Sequence, residues 1–293
     1  MTTEARSWEP GGDVRVPAEW ERILEVDRRD PVVVIGRTDR GKTTLVRWLV
    51  FRLARAGLRV GWIDADVGQS TLAMPTMQAL AVVEGTPSGE LPRPAARFFV
   101  GSTSPRAHML PCVVGIQRLR EKARETGCDR LVVDTTGLVA PSEGGVALKT
   151  WKVELLAPAT VVALERHGEL APIVEPLSRD PRVRTFRLDP VPEARTRPAA
   201  ERAERRAESF RRYFGGARVI DLTGRGLPVY GRRPVRKGRL VGLVGEQGFC
   251  AGLGVVEEWR DDRRSLLTPE PLDGVVALRL GSLAVDPATG RES

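Results

Sequence analysis

The sequence predicts an α/β fold in which a mostly parallel β-sheet is flanked by helices and followed by a small all-β domain. Three observations support this prediction. Short β-branched runs alternate with helical stretches from residue 31 to about residue 222, as in repeated βαβ units. A glycine-rich loop separates the first of these runs from the first helical stretch. Beyond Gly224, glycine and proline punctuate short apolar runs, which is typical of hairpins.

Seven strands are predicted in the first part of the chain. Each is a short run rich in β-branched, leucine or aromatic residues, and they lie at Val32–Ile35, Val60–Asp64, Phe98–Val100, Leu131–Asp134, Thr160–Leu164, Val183–Leu188 and Val219–Leu222. The best-defined helix follows the first strand, because Leu45, Leu49 and Leu53 are spaced by four and Gly57 is placed as a stop. The predicted segments are an extension over residues 1–30, an α/β domain over residues 31–224 and a small β-rich domain over residues 225–293.

Composition favours a globular protein outside the membrane. The 293 residues are 41% hydrophobic and 29% charged, which is not the balance of a largely disordered chain. No apolar run is long enough to span a bilayer, and the first residues lack an apolar stretch behind a basic start. We therefore expect a cytoplasmic protein with no membrane partner. The three cysteines are far apart, so no metal cluster is expected from them.

Positive charge is concentrated in one segment. The formal net charge of +8 suits a protein whose partners are polyanions. Residues 178–218 contain twelve arginines against six acidic residues, so this segment alone carries +6. It includes a predicted helix over about residues 198–214. Two interpretations remain open, namely a surface that binds a polyanion and an ordinary solvated helix face.

The glycine-rich loop has the pattern of a phosphate-binding loop. Residues 36–43, GRTDRGKT, fit GxxxxGK[ST] and stand between a hydrophobic strand and a helix. In this motif backbone N–H groups surround the β-phosphate, the lysine reaches the β- and γ-phosphates, and the hydroxyl holds Mg²⁺. The sequence therefore predicts a P-loop NTPase that binds ATP, or another nucleoside triphosphate, with Mg²⁺. The predicted nucleotide-binding residues are Gly36, Thr38, Asp39, Arg40, Gly41, Lys42, Thr43 and Thr44.

Two further strands end in carboxylates at the edge where open α/β sheets bind ligands. The second strand ends in Asp64 and Asp66, and strand alternation points both side chains the same way. A carboxylate facing the phosphate site can position metal-bound water or accept a proton from a hydroxyl, although both residues could simply lie at an exposed strand tip. The fourth strand brings residues 134–137, DTTG, to the same edge. GTPases use DxxG near the γ-phosphate, but the guanine-recognising pattern [NT]KxD is absent from the chain.

Together these motifs resemble the polynucleotide 5′-hydroxyl-kinase family. The ordered set consists of GRTDRGKTT, DADVGQS, FVGSTSP at residues 99–105, DTTGLV and a basic helix that ends in RRYF. That family includes the RNA kinase subunit of the eukaryotic mRNA 3′-end cleavage machinery and kinases of ribosomal RNA processing. The resemblance covers about residues 31–222, and the segment LVGLVGEQGFCAGLGVV is similar to the family's small C-terminal domain. The N-terminal β domain of eukaryotic members has no counterpart in this sequence.

The resemblance implies roles for individual residues. Lys42 acts on the nucleotide, Thr43 and Asp66 organise the metal, and Asp66 also activates the 5′-hydroxyl, whereas Asp64 has no assured counterpart. Substrate-side contacts are implied for Gln69, Ser102, Thr103, Thr135 and Thr136. The helix before Tyr213 matches a lid that closes over the triphosphate; its matching arginines are Arg202 and Arg206, with Arg205 and Arg211 as alternatives.

The implied function is transfer of the γ-phosphate of ATP, or another nucleoside triphosphate, to a 5′-hydroxyl end of RNA, DNA or both. One alternative is a nucleotide-dependent switch or GTPase that acts on a protein partner. Another is a binding protein with a degenerate site, against which intact Lys42, Thr43 and Asp66 argue. Leu138 stands where eukaryotic relatives carry a tryptophan able to stack on the terminal base. Trp151 could replace that tryptophan, but its apolar surroundings favour core packing.

Overall fold

The computed structural model describes residues 16–25, 31–86, 91–157, 159–192, 194–232 and 234–293. These residues divide into two compact units. The first unit contains the described residues of Met1–Asp66, Ala79–Ala95 and Pro105–Thr196, and the second contains those of Val67–Gln78, Ala96–Ser104 and Arg197–Ser293. Most of the predicted N-terminal extension, residues 1–15 and 26–30, lies outside the described residues.

The described chain contains thirteen strands and five α-helices. The strands are β1 (Val32–Gly36), β2 (Val60–Ala65), β3 (Met77–Val83), β4 (Pro94–Phe99), β5 (Arg130–Thr135), β6 (Ala159–Leu164), β7 (Val183–Leu188), β8 (Arg218–Asp221), β9 (Val229–Tyr230), β10 (Arg239–Gly245), β11 (Cys250–Trp259), β12 (Arg264–Thr268) and β13 (Val275–Ala284). The α-helices are α1 (Lys42–Arg55), α2 (Met109–Glu125), α3 (Gly145–Leu156), α4 (Ala171–Ser178) and α5 (Ala199–Phe214). Short 3-10 helices cover Ala18–Ile23 and Pro141–Glu143. None of these helices combines the length and apolar character needed to cross a bilayer.

The predicted parallel sheet is confirmed. Its seven strands are ordered β4-β3-β2-β5-β1-β6-β7. In this order, the neighbouring strands β2, β5, β1, β6 and β7 run parallel to one another, whereas β3 pairs antiparallel with β2. Every residue of β1, β2, β5 and β6 is buried, because helices cover both faces of such a sheet and the strands are mostly apolar.

The sheet also contains residues that the sequence patterns missed. β3 was not predicted, because its alanines are weak strand formers and its pairing with β2 decides its conformation. β4 begins at Pro94, four residues before the predicted start. The described part of the N-terminal extension packs on α1, where the rings of Trp20 and Trp48 meet edge to face with centroids 5.4 Å apart.

The predicted all-β domain is confirmed within the second unit. Its six-stranded sheet has the order β8-β12-β11-β10-β13-β9 and is antiparallel except for the β13–β9 pair. Helix α5 contributes Phe210 and Phe214 to a buried cluster with Phe99, Leu253 and Val255. This cluster explains why α5 belongs to the second unit.

One strand was assigned to the wrong sheet. The run at Val219–Leu222 was predicted to extend the parallel sheet, but β8 pairs antiparallel with β12, so that Val219 lies opposite Leu267. The partner strand is more than 40 residues further along the chain, where local periodicity carries no information about it. The second unit accordingly includes residues from 197 onward, whereas the sequence placed the boundary after residue 224.

Candidate active site

The phosphate-binding loop connects β1 to α1 within the first unit. β1 ends at Gly36 and α1 begins at Lys42, so the motif occupies the strand-to-helix turn that its chemistry requires. A Cβ at Gly36 would lie 2.7 Å from the carbonyl oxygen of Leu164, and Gly41 has a φ of +81°, a conformation that favours glycine. The first N–H groups of α1 therefore open onto the loop, where an anion can bind.

The lysine of the phosphate-binding loop bonds to the backbone of the same loop. Lys42 is only 6% exposed, and its Nζ donates to the carbonyl oxygen of Arg37 at 2.9 Å. The ammonium group has three donors, so this bond leaves others for phosphate oxygens. The loop is anchored from outside by Arg40, whose Nε lies 2.8 Å from Oε1 of Glu169.

A carboxylate from β5 bonds to the threonine that follows Lys42. The hydroxyl of Thr43 donates to Oδ2 of Asp134 at 2.6 Å, while Oδ1 of Asp134 has no hydrogen-bond partner among the described residues. Burial and the charge of the neighbouring Asp64 raise the pKa of Asp134 to about 7. Asp64 is its register partner across β2 and β5. The sequence had placed Asp134 at this edge but assigned it no role.

Asp66 differs from these two carboxylates in exposure. It lies directly beyond β2 and is partly exposed, whereas Asp64 and Asp134 are buried. Its backbone N–H donates to Oδ1 of Asp64 at 3.1 Å. The negative charge of Asp66 also raises the pKa of Asp134, so the two carboxylates interact electrostatically at this edge of the sheet. Among the three, Asp66 is the carboxylate that solvent can reach.

The loop after β5 is fixed by buried contacts. The hydroxyl of Thr135 donates to the carbonyl oxygen of Val34 at 2.7 Å and accepts from Nζ of Lys149 at 3.0 Å. Lys149 also donates to the carbonyl oxygen of Thr136. A Cβ at Gly137 would lie 2.5 Å from the backbone nitrogen of Thr38 and 2.7 Å from its Cα. Only glycine at position 137 allows this loop to press on the phosphate-binding loop.

Two buried lysines beneath this loop were not predicted. Lys149 and Lys152 lie on α3 and are fully buried, and Nζ of Lys152 has no hydrogen-bond partner within the described chain. Burial lowers the pKa of both amines. Their three-residue spacing in VALKTWKVELL puts them on one face of α3, but nothing in the sequence indicates that this face is the buried one.

The expected core packing of Trp151 is wrong. The side chain is 64% exposed, because α3 turns Lys149 and Lys152 inward and residue 151 falls on the opposite face. The exposed ring is not part of the core, and the other interpretation, that Trp151 stacks on a base, stays a prediction.

The remaining predicted site residues lie in the second unit. Gln69 donates through Nε2 to the carbonyl oxygen of Arg202 at 3.4 Å, a long contact. Ser102 accepts from the N–H of Ser104 at 3.2 Å, and Thr103 donates to Oε2 of Glu292 at 2.8 Å. Nε of Arg206 donates to Oε1 of the same Glu292 at 2.5 Å. The structure thus groups Thr103 with Arg206, a link that no sequence motif contains.

The alternative lid arginines pair with acidic residues of their own helix. Arg205 lies 3.6 Å from Glu201, and Arg211 pairs with Glu208. Arg202 donates to the carbonyl oxygen of Arg197 at the start of the helix. Part of the positive charge of the segment is therefore balanced by surface ion pairs, which contribute little individually to stability.

The parallel sheet, the glycine loop and the Thr43–Asp134 contact define a P-loop NTPase. Residues 36–216 match the family described as mRNA cleavage and polyadenylation factor CLP1 P-loop, which covers more than half of the chain. The chain belongs to this family, as its motifs had indicated.

Archaeal proteins resemble the chain over most of its length. It is 30% identical to a polyribonucleotide 5′-hydroxyl-kinase of Pyrococcus furiosus over 90% of both proteins. A protein of the same name from Pyrococcus abyssi is 29% identical over 90% of both, and one from Methanocaldococcus jannaschii is 28% identical over 87% of both.

Solved structures show the same fold. The chain in the wild-type Clp1p–Pcf11p complex matches with a TM-score of 0.67 at 14% identity, covering 91% of this chain and 77% of that one. At this identity the likeness shows the fold alone.

Proposed function

We propose that this chain transfers the γ-phosphoryl group of ATP to the 5′-hydroxyl end of RNA. The observation that carries the proposal is an intact phosphate-binding edge, with Lys42, Thr43 and Asp66 in place. The relatives that match the chain over 90% of their own length are named polyribonucleotide 5′-hydroxyl-kinases. The proposal includes 5′-hydroxyl ends of DNA as acceptors and other nucleoside triphosphates as phosphate donors. The chemistry requires positioning of the two reactants and stabilisation of charge rather than a covalent intermediate.

The nucleotide is proposed to bind along the loop. Backbone N–H groups surround the β-phosphate, and Lys42 exchanges its bond with the Arg37 carbonyl for bonds with β- and γ-phosphate oxygens. The glycines leave the space that this approach needs. The proposed binding residues are Gly36, Thr38, Asp39, Arg40, Gly41, Lys42, Thr43 and Thr44.

The same edge fits Mg²⁺ that arrives with the nucleotide. Thr43 and Asp66 are proposed to hold it together with Asp134, whose buried Oδ1 lacks a hydrogen-bond partner in the described structure. Two carboxylates and a hydroxyl suit Mg²⁺, which takes one or two carboxylates together with phosphates and water. When bound, the ion would neutralise charge on the transferring phosphoryl group.

Asp66 is proposed as the group that accepts the proton of the 5′-hydroxyl. It is partly exposed, whereas Asp64 and Asp134 are buried. The carboxylate of Asp134 is committed to the hydroxyl of Thr43 and to the proposed Mg²⁺, which favours Asp66 for this role.

The other predicted contacts complete the proposal. Substrate positioning is proposed for Gln69, Ser102, Thr103, Thr135 and Thr136, with Thr103 contributing through its hydrogen bond to Glu292. Because the hydroxyl of Thr135 is committed to Val34, its proposed contribution is to fix the loop, and backbone groups of the loop are left to meet the substrate. Arg202 and Arg206 would neutralise charge in the transition state, a contribution that in this chemistry is worth about a thousand-fold or more.

The test is transfer of labelled γ-phosphate from ATP to matched RNA and DNA oligonucleotides, resolved on a gel. A 5′-hydroxyl RNA should become labelled, and the same RNA with a 5′-phosphate should not. Replacing ATP with the other nucleoside triphosphates measures nucleotide preference. Hydrolysis of GTP without label transfer to either oligonucleotide would contradict the proposal and support a nucleotide-dependent switch.

A further inference from the structure

One ion pair on α5 is more enclosed than its neighbours. Nε of Arg206 lies 2.5 Å from Oε1 of Glu292, with the two side chains 21% and 20% exposed. Arg205, the preceding residue, is 55% exposed and lies 3.6 Å from Glu201. An enclosed charge pair is less screened by solvent, so the Arg206–Glu292 contact fixes its arginine more firmly.

The second oxygen of the same carboxylate is also engaged. Oε2 of Glu292 accepts from the hydroxyl of Thr103 at 2.8 Å. With one oxygen bonded to Arg206 and the other to Thr103, the carboxylate has little freedom to rotate. Charge-assisted hydrogen bonds of this kind are among the stronger ones in proteins.

The segment that carries Glu292 is itself locked in place. Val285 and Glu292 form a β-bridge, and Ala284 and Ser293 exchange backbone hydrogen bonds of 2.9 and 3.0 Å. Gly290 has a φ of +72°, and a Cβ there would lie 2.7 Å from the carbonyl carbon of Ala207 on α5. Glycine therefore lets this segment lie directly against the helix backbone.

The contact leaves the outer end of the guanidinium free. Glu292 engages Nε, and within the described residues no hydrogen bond involves Nη1 or Nη2 of Arg206. The guanidinium is planar, so holding Nε sets the direction of both terminal nitrogens. Two parallel donors held in this way suit a phosphoryl group.

We propose that Glu292 is a positioning residue for phosphoryl transfer, which orients Arg206 by holding its Nε. This inference rests on the proposed kinase function. Glu292 does not touch the reactants; it acts through the arginine, and Thr103 keeps the carboxylate in place.

A second tether on α5 supplies the matched control. The hydroxyl of Tyr213 donates to Oε1 of Glu270 at 2.9 Å and accepts from the N–H of Leu253 at 2.8 Å. This tether also joins α5 to the β domain through a carboxylate, but it orients no cationic side chain. Tyr213→Phe should therefore lower the melting temperature and leave kcat unchanged.

The experiment is steady-state transfer kinetics for Glu292→Ala, Glu292→Gln, Arg206→Ala and the Glu292→Ala/Arg206→Ala double variant, with melting temperatures for each. Glu292→Ala should lower kcat by about 10- to 100-fold, as is typical when the hydrogen-bond partner that orients a metal ligand is lost, with little change in KM for ATP. Glu292→Gln should recover part of that loss, because its amide oxygen still accepts from Nε. In the Arg206→Ala background, Glu292→Ala should have no further effect on kcat.

Other outcomes would overturn the inference. Unchanged kcat in a folded Glu292→Ala protein would do so, as would a loss that is equally large with and without Arg206. If Glu292→Ala fails to fold, Glu292→Gln and its double variant with Arg206→Ala decide by the same criterion. A wild-type protein without transfer activity would overturn both the proposed function and this inference, whereas an active wild type with unaffected variants would overturn the inference alone.

Discussion

The phosphate-binding edge and helix α5 are assembled in different ways. The edge is built from one strand, the loop that follows it and the ends of neighbouring strands, and its residues belong to short motifs. On α5, by contrast, the partners come from far along the chain, since Glu270 is 57 residues from Tyr213 and Glu292 is 86 residues from Arg206. The first region can be located from the sequence because its geometry is local. The second depends on tertiary contacts that no motif specifies.

The largest expected effect tests the local region. Lys42→Ala should reduce phosphoryl transfer below detection, because the lysine charge on the β- and γ-phosphates is lost, while circular dichroism and melting temperature stay close to those of the wild type. Lys237→Ala is the matched control, since Lys237 is exposed and pairs with Glu257. Substantial turnover by Lys42→Ala would contradict the assignment of the loop.

A series of carboxylate variants tests the roles assigned to individual residues of the same region. Asp66→Asn should lower kcat by about a hundred-fold to ten-thousand-fold, the usual contribution of a general base, with only a modest loss of ATP binding. Asp134→Asn should instead weaken Mg²⁺-dependent ATP binding, because its carboxylate bonds to Thr43. If Asp64→Asn reduces kcat more than Asp66→Asn, the choice between these two carboxylates is wrong.

The contact between the two loops of the edge predicts a smaller effect. Gly137→Ala introduces a methyl group 2.5 Å from the backbone nitrogen of Thr38, so the phosphate-binding loop must move. We expect a loss of about 1–3 kcal/mol in the free energy of unfolding, typical of overpacking, together with weaker ATP binding. Isothermal titration calorimetry and urea unfolding measure the two quantities. Gly168→Ala, where a Cβ meets nothing within 4 Å, is a control for steric crowding, although its positive φ adds some strain of its own.

The sequence predicted the parallel sheet, the loop and the β domain because each has a local signature. Gly36 to Thr43 form a contiguous motif, and β1 and β5 contain the apolar runs VVVI and LVV. The second-sheet pairing of β8, the inward turn of Lys149 and Lys152 and the Glu292 contact could not be predicted in the same way. Each depends on which distant residues pack together in the folded chain. The exposure of Trp151 follows from the inward orientation of Lys149 and Lys152 on the same helix.

Burial of Lys152 is expected to affect stability rather than activity. The pKa of Lys152 is lowered by burial, so the unfolded chain binds a proton more tightly and the free energy of unfolding rises with pH up to the ordinary lysine pKa. Lys152→Met should remove this dependence and stabilise the protein by about 1–4 kcal/mol, with the larger gain at pH 6 than at pH 9. Urea unfolding at the two pH values measures it.

Lys149→Met is the matched comparison for this prediction. Lys149 donates to Thr135 and Thr136, so its loss should destabilise the loop and lower activity. A gain for Lys152→Met that is equal at both pH values would mean that burial of charge is not the cause.

The most direct test of the account is the kinetics of Arg202→Ala and Arg206→Ala at two salt concentrations, with exposed Arg205→Ala as the control. The account predicts that kcat falls by about a thousand-fold while the apparent KM for ATP changes far less, because the arginines act in the transition state. A raised KM for RNA with steep salt dependence and unchanged kcat would mean that they only attract the nucleic-acid backbone. Unchanged kcat in both variants would contradict the claim that α5 takes part in catalysis.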